Sequence, residues 1–161
     1  MSRASIGIHP WRVALPLFLA AVLFGCNSST PTAAGPAARA VLSMSVTPDP
    51  LLANPVPGGF SVRYVIKITE IAGVGGTFEF VNSTVFDDVT GRQLAVNNFD
   101  NKDMLVFVGT DRLEPNTSIE VPQTIAYITP GGGRAAVLTV AVRFNDDKDS
   151  IINQSILVRI L

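Results

Sequence analysis

The chain is poor in the side chains on which most enzyme chemistry depends. Its 161 residues include one cysteine, one histidine and one tryptophan. These are Cys26, His9 and Trp11, so the chain beyond Cys26 contains none of the three. A single cysteine excludes a disulfide framework. A Ser-His-Asp triad, a Cys-His nucleophile pair and a zinc site built on histidine or thiolate all lack their usual groups. Catalysis would fall to carboxylates, lysine or tyrosine. Charge of one sign is scarce as well: 12 Lys and Arg stand against 13 Asp and Glu, for a net charge of −1. With no basic stripe or arm, the electrostatic requirement for gripping phosphate backbones is missing, which excludes nucleic acid as a partner. The glycine-rich runs Gly73–Gly76 and Gly131–Gly133 precede neither a helix nor a lysine, so a phosphate-cradling loop is not expected.

What the chain does have begins with an apolar run, Val13 to Phe24, preceded by Arg3 and Arg12 with no acid before Asp49. Basic flank and apolar length fit a secretory signal segment. The run is too short to cross a bilayer, which takes about 20 apolar residues. It ends at Gly25-Cys26, followed by the polar Asn27-Ser28-Ser29-Thr30. Leu23-Phe24-Gly25-Cys26 resembles the bacterial lipobox, in which Leu, then Ala or Ser, then Gly or Ala precede the cysteine; Phe24 is bulkier than that pattern. The resemblance implies that residues 1–25 are a lipoprotein signal peptide. Cys26 would then open the mature chain and carry a diacylglyceryl group and an N-acyl chain of the palmitate type. Anchors with more than one acyl chain hold stably in a membrane. Asn27, where an aspartate would imply inner-membrane retention, implies the outer membrane. Plain secretion, with cleavage near Ala38-Arg39-Ala40, is the alternative. Without Arg3 and Arg12, ten bases face thirteen acids, a mature net charge near −3.

Residues 26–39 are rich in Ser, Thr, Pro, Ala and Gly and offer no apolar stripe to bury, so they read as a disordered tether. From Ala40 to Leu161 the texture changes to short runs rich in Val, Ile, Thr and Phe, separated by Gly, Pro, Asn and Asp. Val41–Val46 is a first strand. Leu51–Gly59, with Pro55 and Pro57, cannot run through a sheet and reads as a loop. In Phe60–Thr69 the residues Phe60, Val62, Tyr64, Ile66 and Ile68 share one face, as a half-buried antiparallel strand requires. Thr77–Phe86 changes phase between Phe80 and Val81, which predicts a bulge or two buried faces. Gln93–Val96 is a short strand, Asn97–Asp103 a polar loop, Met104–Val108 a strand and Gly109–Asn116 a loop. Thr117–Ile128 is a strand placed at an edge or bulge by Pro122, and Leu138–Phe144 and Ile152–Ile160 form the final hairpin. No sustained helical period occurs. About seven or eight strands at hairpin spacing predict an all-β antiparallel sandwich. The rhythm, with its proline-rich early loop and long last hairpin, resembles an immunoglobulin-like or fibronectin type III-like bacterial domain.

In such a strand order the loops at Ala72–Gly76, Gly109–Asn116 and Asn145–Asp149 gather at one end. That would bring Asp111 and Glu114 near Asp146, Asp147 and Asp149 as calcium candidates, since calcium takes about six to eight oxygen ligands from loops. A polar hairpin tip kept for solubility is the plainer reading. Asp87-Asp88 flanks a turn, where carboxylates usually serve the backbone. Phe99 sits in a polar stretch as either a partner anchor or a plug on the core; the other aromatics lie in strand runs. Three function classes follow: a membrane-anchored, noncatalytic envelope module that binds another protein; a surface binder of calcium or carbohydrate; and, last, a carboxylate-based hydrolase. No cofactor other than calcium is expected.

Overall fold

The computed structural model describes residues 38–161. The signal segment, Cys26 and almost all of the tether lie outside the described residues. Nine strands and one short helix follow in order: β1 (Leu42–Thr47), β2 (Asn54–Val56), β3 (Gly59–Glu70), β4 (Gly76–Asp87), β5 (Gln93–Asp100), α1 (Asn101–Phe107), β6 (Arg112–Leu113), β7 (Ser118–Tyr127), β8 (Ala136–Asp146) and β9 (Ile151–Ile160). Seven strands have six or more residues; β2 and β6 are the two short ones.

The alternation in β3 is what it promised. Val62, Tyr64, Ile66 and Ile68 are buried, while Arg63 and Lys67 face out. β3 is the centre of the first sheet, with β7 on one side from Phe60↔Tyr127 to Thr69↔Ser118, and β1 and then β2 on the other. The second sheet is ordered β5-β4-β8-β9, with β6 pairing the first residues of β4. All named pairings are antiparallel. In immunoglobulin lettering this is A-B-E against C′-C-F-G, an all-β sandwich. The inner faces of both sheets share one core, in which Phe78 of β4 meets Phe144 of β8 edge to face at 5.2 Å.

The phase change in β4 is a bulge. The register to β8 shifts between Phe78 and Phe80, so burial passes from Phe78 to Val81, Ser83 and Val85. The extra residue re-aims the rest of the strand without breaking it. Pro122 lies on β7, an edge strand paired only with β3, facing solvent.

Three segments differ from expectation. The proline-rich 51–59 stretch contains β2, in which Pro55 pairs with Phe60 at the sheet edge. An edge strand is bonded on one side only, so a proline there costs no ladder bond. Just before it the chain leaves the first sheet, and fully buried Leu51 bridges to Ile160 of β9, lacing the two sheets together. The Gly109–Asn116 loop holds the two-residue β6. The largest correction is at 97–108. β5 runs on through Asn97, Asn98 and Phe99 to Asp100, and Met104–Phe107, expected as strand, is helical. The reason is local. Asp100 caps the helix, accepting the N–H groups of Lys102 and Asp103 at 2.8 and 3.0 Å, while the Asp103 carboxylate accepts the Asp100 N–H. This reciprocal box satisfies the free donors of the first turn. Seven residues are too few to display a 3.6-residue period, and Met104 is the one buried residue of the helix.

Asp100→Ala is expected to cost about 1 kcal/mol through loss of the cap, and Met104→Ala about 2–4 kcal/mol through the cavity it leaves. Urea unfolding of each variant measures both; equal small losses would show that the helix is only loosely docked.

Candidate functional site

One end of the sandwich is built on two carboxylates that sit where apolar residues would be expected. Glu70 continues the inward row Val62, Tyr64, Ile66, Ile68, and its side chain is fully buried. Its Oε1 accepts the backbone N–H groups of Val41 and Ala72 at 3.2 and 2.8 Å, and its Oε2 those of Gly73 and Asn116 at 2.8 and 3.0 Å. Burial alone would raise the carboxyl's pKa. The four donors, Asn116 foremost, outweigh that and hold it below the ordinary range.

Asp146 continues the inward row Leu138, Val140, Val142, Phe144 in the same way. It accepts the N–H of Ala40 at 2.9 Å on Oδ2, and those of Lys148 and Ser150 at 2.9 and 2.8 Å on Oδ1. Here too burial pushes the pKa up and the backbone donors, helped by the Lys148 charge, bring it below the usual value.

The surface of this end is organised by Arg112 of β6. Its Nη1 and Nη2 donate to the two oxygens of Asp147 at 2.9 and 2.8 Å, and its Nε to Glu114 at 2.8 Å. The hydrogen bonds to Asp147, then those to Glu114, raise the guanidinium further above its ordinary value, and in return Arg112 lowers the Asp147 carboxyl. All three side chains are substantially exposed, so the network fixes geometry more than it adds stability.

The three loops named from the sequence do meet here: the Asp147 N–H donates to the Gly75 carbonyl, and Asn116 reaches Glu70. The five acids, however, have different occupations. Asp146 is turned inward, and Asp147 and Glu114 share Arg112. Asp149 sits in the hairpin turn with φ +59° and donates its N–H to the Asp146 carbonyl. Asp111 contributes its carbonyl to the N–H of Phe78. Among the described residues no three His, Cys, Asp or Glu side chains form a group able to hold a metal ion. Asp87 accepts the N–H groups of Val89 and Thr90 and the Thr90 hydroxyl, as a turn carboxylate does. Glu70 and Arg112 are the site residues that sequence reasoning missed. The legible signal for Glu70 was an acid falling in the buried phase of a strand.

Two other features offer surfaces for recognition. A cleft of about 580 Å³ is lined by Tyr64, Gln123, Asn97, Phe99, Arg63 and Pro122. The Tyr64 hydroxyl donates to Gln123 Oε1 at 2.9 Å. Burial, only partly offset by the nearby Ser83, pushes this phenol up to about 12. The Gln123 Nε2 and Ser83 Oγ are buried without a hydrogen-bond partner among the described residues. At the margin of this cleft Phe99 is half-buried against the core and stacks on Phe107 of α1, with centroids 5.3 Å apart. Phe99 thus packs as a plug, and exposure passes to α1, where Leu105, Val106 and Phe107 are 51, 75 and 62% accessible.

No family model matches the chain, and no curated protein does. Solved structures do resemble it. A Bordetella pertussis protein given the name ApaA is similar over 76% of this chain and 96% of its own, at 15% identity and a TM-score of 0.54. The structural-genomics target SoR45 is similar over 74% of this chain and 84% of its own, at 14% identity and a TM-score of 0.53. At such identities the likeness establishes a shared β-sandwich fold and nothing finer. Among the described residues no helix is long and apolar enough to cross a membrane.

Glu70→Gln replaces an acceptor oxygen by a donor facing two N–H groups, and should destabilise the domain by on the order of 3 kcal/mol. Because the folded pKa values of Glu70 and Asp146 are lowered, their contribution is complete above the ordinary carboxylate range of about 4 and is lost as pH falls through the folded values. Thermal melts should therefore be flat from pH 7 to about 5 and drop steeply below, with a shallower drop in Glu70→Gln; identical acid profiles would assign the sensitivity elsewhere.

Proposed function

We propose that this chain is a lipid-anchored, noncatalytic module of the bacterial cell envelope that binds another protein close to the membrane surface. The observation that carries the protein-binding part is α1: three consecutive apolar side chains held in solvent by a capped helix whose one buried residue is Met104. A single exposed apolar residue is ordinary, but three in succession around a short capped helix leave apolar surface that a partner could cover. The anchoring part rests on Leu23-Phe24-Gly25-Cys26 and on the tether composition of residues 26–39. At up to about 3.1 Å per residue that tether keeps Ala40 within roughly 40 Å of the bilayer. The outer membrane follows from Asn27. Beyond Cys26 there is no histidine or thiol to supply a reactive centre, which favours an accessory role over turnover.

A second reading, binding of a small ligand such as a sugar, is favoured by the cleft beside Gln123, a residue whose buried amide nitrogen has no partner among the described residues. An unpaired buried donor is costly unless something meets it. A thermal-shift panel of glycans and calcium addresses it: a stabilising glycan whose effect vanishes in Gln123→Leu supports the reading, and a flat panel removes it.

For the leading proposal, cells expressing the full chain should incorporate labelled palmitate, and the label should be lost in Cys26→Ala. Detergent extracts of the acylated protein should retain an envelope protein that Val106→Asp releases while the melting temperature stays within about 2 °C. Retention unchanged by Val106→Asp would move the contact away from α1, and absence of label in the parent chain would remove the anchor.

A further inference from the structure

The outer edge of β9 is open along most of its length. β9 pairs with β8 on one side. On the other, its contact is with the crossing segment at Leu51, whose N–H donates to the Arg159 carbonyl and whose carbonyl accepts the N–H of Leu161, both at 2.9 Å. Arg159 and Leu161 therefore point their backbone groups outward. The two-residue period of a strand then makes Ile151, Asn153, Ser155 and Leu157 do the same. Their N–H and C=O groups have no strand beside them among the described residues. Natural edges are usually blunted by charge or proline. β7 follows that rule with Glu120 and Pro122, and β2 with Pro55, but Ile151 to Val158 contains neither.

The sequence of this open stretch reads nearly the same in both directions about Gln154. Ile151 mirrors Leu157, Ile152 mirrors Ile156, and Asn153 mirrors Ser155. We propose that two copies of this chain join through β9, antiparallel about a two-fold axis at Gln154, so that their second sheets fuse into one. In that register the outward-pointing backbones meet as hydrogen-bonded pairs, Ile151 with Leu157 and Asn153 with Ser155 of the second copy, and the reverse. On the outer face Ile151 and Leu157, now 51 and 65% accessible, cover one another. On the inner face Ile152 and Ile156 are half-buried. The incoming strand brings its own pair over a groove of about 390 Å³ between β9 and the Arg39–Leu42 segment.

Charge fits the same axis. Beyond the paired stretch, the turn that carries Asp149 lies toward the Arg159 end of the second copy, and neither residue has an ion-pair partner among the described residues. Pairing stops where Leu51 crosses at Arg159, so the open edge and the mirrored stretch have the same length. A shift of the axis by one residue to Asn153 sets Ile151 on Ser155 and Ile152 on Gln154. A shift to Ser155 sets Ile151 on Arg159. Of these three registers only the axis at Gln154 sets apolar residues opposite both Ile151 and Ile152, and a sequence that served a foreign strand would have no need of this symmetry. The pairing is independent of the anchor and of α1.

A residue on the two-fold axis of an antiparallel pair lies opposite its own copy, within disulfide range. In membranes from cells expressing the full chain, mild oxidation of Gln154→Cys should yield a disulfide-linked dimer on non-reducing gels. The parent chain, with Cys26 alone, and Glu120→Cys on the β7 edge should not. Adding Leu157→Lys to Gln154→Cys should return the dimer band to the parent level; both sites are solvent-facing, and an unchanged melting temperature confirms the fold. A Gln154→Cys dimer band no stronger than that of Glu120→Cys, a band that survives Leu157→Lys, or a cross-link to a species of another mass would each overturn the proposal, the last in favour of a foreign strand on the same edge.

Discussion

Glu70 accepts four backbone N–H groups from three separate parts of the chain: the residue before β1, the loop after β3 and the turn before β7. No apolar side chain at that position would let the three meet, because each brings a donor that has to find an acceptor once buried. The carboxylate solves all of them with one group. Its own burial is tolerable because every donor favours the charged form. Asp146 repeats the device on the second sheet, where it fixes the last hairpin and the segment at Ala40. Two inward acids thus close the end of the sandwich at which the chain enters.

This has a consequence for where function resides. Four acids at this end are engaged: Glu70 and Asp146 hold the backbone together from inside, and Asp147 and Glu114 neutralise Arg112 on the surface. A cation entering this end would have to displace a guanidinium bonded to both oxygens of a carboxylate, a geometry among the stronger charge-assisted contacts proteins make. The features that the packing does not consume are the exposed apolar residues of α1, the cleft beside Gln123 and the open edge of β9.

Long alternating runs made the sandwich legible. Phe60–Ile68 and Leu138–Phe144 each declare a buried face through residues two apart, and the phase break between Phe80 and Val81 declared its bulge. What stayed hidden was decided by other forces. Met104-Leu105-Val106-Phe107 has strand composition, yet the Asp100–Asp103 box starts a helix there, a case in which local capping overrides propensity. Pro55 argued against pairing, yet an edge needs bonds on one side only. Glu70 and Asp146 were readable as positions in a buried row, but the donors they serve come from sequence-distant loops, so their partners could not be read from the chain. Arg112 was invisible for the same reason, since Asp147 is brought to it by the closing of β4 on β6 and β8.

The edges of the two sheets show an unequal treatment that packing alone does not require. Where the chain had to protect an edge it did so cheaply, with Pro55 on β2, Pro122 and Glu120 on β7, and Leu51 laid across the far end of β9. A single charged residue on the outer face of β9 would have blunted the remaining stretch at no cost to the core, since Ile151 and Leu157 contribute little to it while more than half exposed. Their retention beside an open row of backbone groups is better explained by a strand that comes to lie beside them than by the stability of the isolated domain.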